Sequence, residues 1–173
     1  MEKNIIPEFV NSQHNYYTLD YYFKKKYNSK VFKVALNGNF SCPNRDGTVS
    51  KNGCIFCSDM GSGEFAGNKA DDLKTQFNMV KDIIHLKWKD ALYIPYFQAN
   101  TNTYGPIDKL KRLFEEAITL DKNIVSIDIA TRPDCLSTET LDYLEDLNKR
   151  CPVIIELGLQ TTHEKTSILI NRC

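Results

Sequence analysis

Four short runs of apolar, often β-branched residues alternate along the chain with longer amphipathic segments, and this alternation constrains the fold more than any other feature. The runs cover residues 31–36, 91–99, 124–130 and 153–159, and each has the composition of a β-strand. Strands that alternate with helices form a parallel sheet with the helices packed outside it. The sequence therefore predicts an α/β fold that contains four strand–helix units.

The segments around these strands have helical periodicity. Helices are predicted over residues 17–27, 70–88, 106–117, 137–147 and 161–171. Pro106 suits the first position of its helix, and Ser137 suits the cap of the following one. Pro95 lies inside the second predicted strand, where a proline removes a donor from the ladder of hydrogen bonds.

The composition is that of one globular domain. Of the 173 residues, 42% are hydrophobic and 25% are charged, and Lys plus Arg balance Asp plus Glu at 22 each. A strongly basic surface is therefore not evident, although a local basic patch stays open. Neither a secretory segment nor a membrane-spanning run is evident, so we expect a cytoplasmic protein without a membrane partner. Residues 1–29 are interpreted as an N-terminal arm and helix, and residues 30–173 as the core.

Three cysteines lie within sixteen residues of one polar loop, directly after the first predicted strand: Cys42, Cys54 and Cys57. A Cys-x-x-Cys pair brings two sulfurs to one metal centre, and the eleven-residue spacer lets Cys42 return to it. Three thiolates are one fewer than a structural zinc or a fully ligated iron–sulfur cluster uses. The set suits a cluster that keeps one iron free for a substrate, and structural zinc is the alternative. The remaining cysteines are scattered and are interpreted as core or surface residues: Cys135, Cys151 and Cys173.

A polar stretch follows each predicted strand. The stretches are the cysteine loop (42–57) and residues 98–104, 131–134 and 158–161. Ligands of parallel sheets bind at the carboxyl ends of the strands, so we expect all four stretches to face one cavity. Asp128 and Glu156 interrupt apolar strands. Because an unpaired buried carboxylate is costly, they form either a paired polar lining or outward contacts to helices.

Several of these residues together resemble a known family, the radical S-adenosylmethionine (SAM) enzymes, and within it the bacterial YhcC/YtqA type. The resemblance rests on the three-cysteine loop with Phe56 before its last cysteine, and on the longer stretches CPNRDG (42–47), FQA (97–99), TNTY (101–104), TRPD (131–134) and ELGLQ (156–160). Those proteins are related to the radical SAM core of Elongator's catalytic subunit. The resemblance runs from about residue 17 to the end of the chain.

The resemblance implies the cofactors. A [4Fe–4S] cluster is expected on Cys42, Cys54 and Cys57, and its fourth iron would bind the amino and carboxylate groups of SAM. One electron from a flavodoxin-like or ferredoxin-like reductant would then cleave SAM to methionine and a 5′-deoxyadenosyl radical, which abstracts hydrogen from the substrate.

The resemblance also implies which residues contact SAM. Thr101, Asn102 and Thr103 occupy the place where many radical SAM enzymes have a Gly-Gly-Glu stretch for the amino group. Arg132 is a candidate for the carboxylate, with a surface arginine packed on a helix as the alternative. Gln98 is assigned by position, and Gln160 is a candidate for the ribose or adenine or else a satisfied polar group at a strand end.

The family core is a partial (β/α) TIM-like barrel of six strand–helix units, of which this chain supplies about four. Relatives have a glycine after the Asn-Arg pair at 171–172 and continue, so we expect a fragment or a truncated open reading frame. The kinship with Elongator favours a wobble-uridine side chain of tRNA as substrate. Two other functions stay open: a zinc-binding, nucleic-acid-associated module, and an inactive homologue that keeps the cluster.

Overall fold

In the computed structural model, residues 15–172 are described, and strands and helices alternate along them. The strands are β1 (Val31–Leu36), β2 (Leu92–Phe97), β3 (Ile127–Thr131) and β4 (Val153–Leu157). The helices are α1 (Leu19–Tyr27), α2 (Leu73–Lys87), α3 (Ile107–Thr119), α4 (Thr138–Arg150) and α5 (Glu164–Leu169), with a 3₁₀ turn at Pro133–Cys135. The predicted N-terminal arm falls on residues that lie outside the described range, apart from Asn15.

The four strands form one sheet in the order β1-β2-β3-β4, and each neighbouring pair is parallel. Each crossover returns through a helix to the adjacent strand, which is the connection that parallel pairing requires. The predicted α/β architecture with a parallel sheet and flanking helices is therefore confirmed.

The two faces of the sheet differ in polarity. Val34, Phe97 and Ile129 belong to a fully buried core that includes Leu110 and Phe114 of α3. Side chains alternate between faces along a strand, so the residues between them point the other way. On that opposite face β1, β2, β3 and β4 present Lys33, Tyr96, Asp128 and Glu156. Three of these four residues, all except Tyr96, have ionisable side chains of the kind that binding sites use. This face is therefore the candidate for a functional site.

Pro95 is accommodated because the position of its missing N–H faces β3. The ladder of hydrogen bonds between β2 and β3 is shorter than the ladder between β2 and β1. Leu92 donates to Lys30 on the β1 side, and Tyr93 bonds to the segment that precedes β3. Alternation therefore directs Pro95 toward β3, and there the regular pairing begins only at Tyr96. The third strand consequently starts at Ile127 rather than at the predicted residue 124, which forms an isolated bridge instead.

Helix boundaries follow the capping residues. Ser137 accepts a hydrogen bond from Thr140 N at 3.2 Å and caps α4 as predicted. Asp72 caps α2 in the same way, so that helix begins at Leu73 and not at residue 70. Pro106, predicted at the first helical position, occupies the cap position instead, and α3 begins at Ile107. The last helix is shorter than predicted and covers Glu164–Leu169, and β4 ends at Leu157.

Among the described helices, none combines the length and the apolar character that crossing a bilayer demands.

Candidate functional site

A cavity of about 380 Å³ lies at the carboxyl edge of the sheet. All four polar stretches that follow the strands contribute to its wall, as the sequence predicts. Its volume is within the usual range of small-molecule sites, about 300–1,000 Å³. Its lining includes Cys42, Cys54, Cys57, Gln98, Thr101, Arg132, Gly158 and Gln160.

The cysteine loop brings three free thiols to this cavity. Cys54 is buried, whereas Cys42 and Cys57 are partly exposed. The loop folds on itself through backbone bonds such as Arg45 N to Cys42 O at 2.8 Å and Cys57 N to Cys54 O at 3.0 Å. Among residues 15–172, no three His, Cys, Asp or Glu side chains form a group that could hold a metal ion. The three thiols nevertheless line one cavity. They present the soft donors that iron–sulfur clusters and zinc both use.

Nitrogen and hydroxyl groups surround two of the sulfurs. Arg45 Nη1 lies 3.5 Å from Cys57 Sγ and also donates to Ser58 O. Ser62 Oγ lies 3.7 Å from the same sulfur. Asn44 Nδ2 lies 3.3 Å from Cys54 Sγ. The sequence did not predict these neighbours, because nothing in a loop sequence shows which side chain folds back on a sulfur.

The glycine at position 61 shapes the rim beside these sulfurs. Gly61 has a φ of 64°, and its carbonyl oxygen accepts a hydrogen bond from Asn100 N at 2.8 Å. A Cβ at this position would overlap the side-chain amide of Asn100. Glycine is therefore required here, both for the left-handed backbone and for the close approach of two loops.

The residues proposed to contact SAM divide into two groups. Gln98, Thr101, Arg132 and Gln160 line the cavity. Asn102 and Thr103 are buried in its wall instead. Asn102 Nδ2 donates to Phe97 O and Ala130 O at 3.0 and 2.8 Å, and Thr103 donates to Cys135 O at 2.6 Å. These two side chains join the loop that follows β2 to the end of β3 and the turn that follows it. They support the cavity wall and do not line the cavity.

Arg132 is buried, which excludes the alternative of a surface arginine. Its Nε and Nη2 donate to the two oxygens of Asp134 at 2.9 and 2.7 Å. These hydrogen bonds raise the pKa of Arg132 above its usual value although burial opposes the shift, and Cys42 and Cys135 add smaller contributions. The Asp134 carboxyl has a lowered pKa for the same reason. A permanently charged guanidinium therefore lies beside the thiols, held in one orientation.

An ionic network spans the sheet and reaches the cavity through Tyr96 and Glu156, which line it. Lys33 Nζ lies 2.5 Å from Asp128 Oδ2 and 2.5 Å from Glu156 Oε1, and 4.4 Å from the centre of the Tyr96 ring. Tyr96 donates to Glu156 Oε2 at 2.7 Å. The predicted pairing of Asp128 and Glu156 is thereby confirmed, and the alternative of outward contacts to helices is wrong. Of the two carboxylates, Glu156 lines the cavity. Lys33 was missed, although it is the one charged residue in an otherwise apolar strand.

Burial and pairing oppose each other in this network. Burial raises the pKa of Asp128 and outweighs the attraction of Lys33. For Lys33, burial alone would lower the pKa, but hydrogen bonds to both carboxylates raise it. For Glu156, burial would raise the pKa, and the bonds from Lys33 and Tyr96 lower it. Asp128 is consequently the group whose charge depends most on Lys33.

The other cysteines are placed as follows. Cys151 is buried at the end of α4, and burial raises the pKa of its thiol. Cys135 is the last residue of the 3₁₀ turn and lines a second cavity, and burial raises its pKa to about 11. Cys173 lies outside the described residues. The interpretation of Cys151 as a core residue is confirmed.

The chain is similar in sequence to several known proteins. No protein-family model matches the chain. It is 54% identical over 172 residues to the uncharacterized protein YtqA of Bacillus subtilis, across 99% of the chain and 53% of that protein. It is 39% identical over 152 residues to protein YhcC of Escherichia coli K12, across 86% of the chain and 47% of that protein.

An archaeal relative is similar over the same extent. The chain is 34% identical over 172 residues to the uncharacterized protein MJ0486 of Methanocaldococcus jannaschii, across 97% of the chain and 51% of that protein. The chain thus spans about half the length of the curated relatives it matches.

Proposed function

We propose that the chain is part of a radical SAM enzyme and forms four units of a partial (β/α) barrel. In this proposal Cys42, Cys54 and Cys57 hold a [4Fe–4S] cluster. The observation that carries it is the presence of all three thiols in one cavity at the carboxyl edge of a parallel sheet. Three thiolates leave one iron without a protein ligand, as an iron that binds a small molecule requires.

The remaining wall has the groups that SAM binding needs. Arg132 lines the cavity, and its guanidinium, held by Asp134 through Nε and Nη2, would attract the carboxylate of SAM. The hydroxyl of Thr101 and the amides of Gln98 and Gln160 can pair with the amino, ribose and adenine groups of SAM. Asn102 and Thr103 hold this wall in place from behind. The bound cluster would supply the electron that cleaves SAM to methionine and a 5′-deoxyadenosyl radical.

Anaerobic reconstitution with iron and sulfide tests the cluster. We expect about four irons per chain and the visible absorption of an iron–sulfur centre. Cys54→Ala should lose this absorption. Cys151→Ala is a matched control, because both thiols are buried, at 6% and 8% exposure, and only Cys54 lines the cavity. Equal iron content in the two variants, or zinc in place of iron in the wild type, would overturn the proposal.

Addition of SAM and a strong reductant tests the reaction. Formation of 5′-deoxyadenosine by the reconstituted protein would support an active enzyme, and Arg132→Gln should raise the SAM concentration needed for half-maximal cleavage. A stable cluster without cleavage would favour the inactive homologue. A flavodoxin or ferredoxin is the class of physiological reductant in this proposal.

For the substrate, we propose a wobble-uridine side chain of tRNA, on the kinship with Elongator. The chain carries no excess of basic residues, so tRNA binding would depend on a local patch or on segments beyond these residues. Incubation of the reconstituted protein, SAM and reductant with tRNA, followed by mass spectrometry of its nucleosides, tests this substrate. An unchanged set of wobble uridines would refute it without affecting the cluster assignment.

A further inference from the structure

The segment that follows α5 is hydrogen-bonded to the cysteine loop. Ile55 N donates to Ile170 O at 3.1 Å, and Asn171 Nδ2 donates to Gly53 O at 2.6 Å. Asn44 Nδ2 donates in return to Asn171 O at 2.6 Å. These contacts join residues that are more than 110 positions apart, and they flank Cys54 on both sides. The position of this cysteine therefore depends on a distant part of the chain.

Asn44 and Arg172 direct N–H groups at the Cys54 sulfur. The Asn44 side chain is fully buried, and its bond to the carbonyl oxygen of Asn171 fixes the amide with nitrogen on that side. The same nitrogen lies 3.3 Å from Cys54 Sγ. Arg172 Nη1 lies 3.9 Å from this sulfur, and its other terminal nitrogen donates to Gly158 O. One sulfur thus faces an amide and a guanidinium.

Such donors have an electronic consequence for a cluster ligand. A cluster gains one negative charge when it is reduced, and N–H groups near a ligating sulfur stabilise that charge. They therefore raise the reduction potential, which depends on hydrogen bonds to the sulfurs and on nearby charge. The positive charge of Arg172 acts in the same direction as its N–H group.

We propose that Asn44 and Arg172 are positioning residues that tune the cluster through Cys54, with Arg172 as the main electronic contributor. This inference rests on the proposed function, because it requires a cluster on Cys54. It assigns to the end of this chain a role at the metal centre, in addition to its packing against the loop.

The experiment is a redox titration of the reconstituted protein, followed by electron paramagnetic resonance. Arg172→Gln should lower the midpoint potential. A tenfold change in the reduction equilibrium, the effect of about one hydrogen bond to a charged group, corresponds to about 59 mV for one electron. Arg112→Gln is the matched control, since it removes the same charge from an exposed position on α3. Asn44→Asp, which replaces a donor with a negative charge, should shift the potential in the same direction.

Each outcome decides a different point. A normal iron content with an unchanged potential in Arg172→Gln would overturn the inference and leave the proposed function intact. If Arg172→Gln binds no cluster, Arg172→Lys decides, because it keeps the charge. Restored loading at a near-wild-type potential would support the electronic role, and failure to load would reduce Arg172 to a structural contact. A wild type that takes up no iron would overturn the proposed function and this inference together.

Discussion

Lys33→Met removes the ammonium that lies between Asp128 and Glu156 while keeping a long side chain on the sheet. Asp128 has a fully buried side chain, so water cannot replace the lost partner. Glu156 is 43% exposed and keeps its bond from Tyr96, so its share of the loss is small. The cost of the substitution therefore falls mainly on one buried carboxylate.

Removal of one partner from a buried ion pair costs about 3–5 kcal/mol. Because Lys33 itself is 29% exposed, we expect the low end, about 3 kcal/mol. For a domain of 150–250 residues this corresponds to a fall in Tm of about 6–12 °C. Lys30→Met is the matched control, since its partner Asp20 is 50% exposed, and that pair contributes about 0–1 kcal/mol.

The pH dependence separates this explanation from a loss of packing. Burial raises the pKa of Asp128 in the folded protein, so its contribution to stability is present at low pH and is lost as pH rises through the folded pKa. Without Lys33 that folded pKa rises further. Glu156 has a lowered folded pKa, and its stabilising contribution in the wild type is lost as pH falls. Both effects make the loss of stability caused by Lys33→Met largest near pH 7 and smaller near pH 4.

Thermal melts monitored by circular dichroism at several pH values measure these deficits. A Tm at pH 7 no lower than that of Lys30→Met would refute the reasoning, and so would a deficit that does not shrink with acid. Lys33→Met/Asp128→Asn provides a second check, because removal of both charges should recover part of the lost stability.

Three further substitutions, one of them paired with a control variant, test the local structure by the same melts. Ser137→Ala removes the cap of α4 and should cost about 1 kcal/mol; no change in Tm would show that the cap contributes nothing. Gly61→Ala should cost at least about 1 kcal/mol through its positive φ and its overlap with Asn100, whereas Gly105→Ala, which meets neighbours at ordinary contact distances, should cost less. Phe114→Ala should cost about 3–5 kcal/mol, because its ring is fully buried in the core.

Much of the fold was predictable because its signals are local. Alternation of apolar and helical segments predicts the four strands and their parallel arrangement, and the predicted ends of the first strand, residues 31 and 36, are the observed ones. Ser137 marks the start of α4 through a bond that spans three residues. Even the convergence of the four polar stretches follows from a general rule, since the carboxyl ends of parallel strands share one edge.

The contents of the site depended on tertiary structure. Lys33 meets Glu156 across 123 positions, and that contact exists only for one register of four strands, since a slip by one residue turns a side chain to the other face. Asn171 reaches the cysteine loop across a similar distance. The sequence by itself determined which residue types were present and which edge of the sheet they approach. Only the packing of distant segments decided which side chain pairs with which, because pair contacts require positions fixed to within an ångström, and local patterns carry no such information.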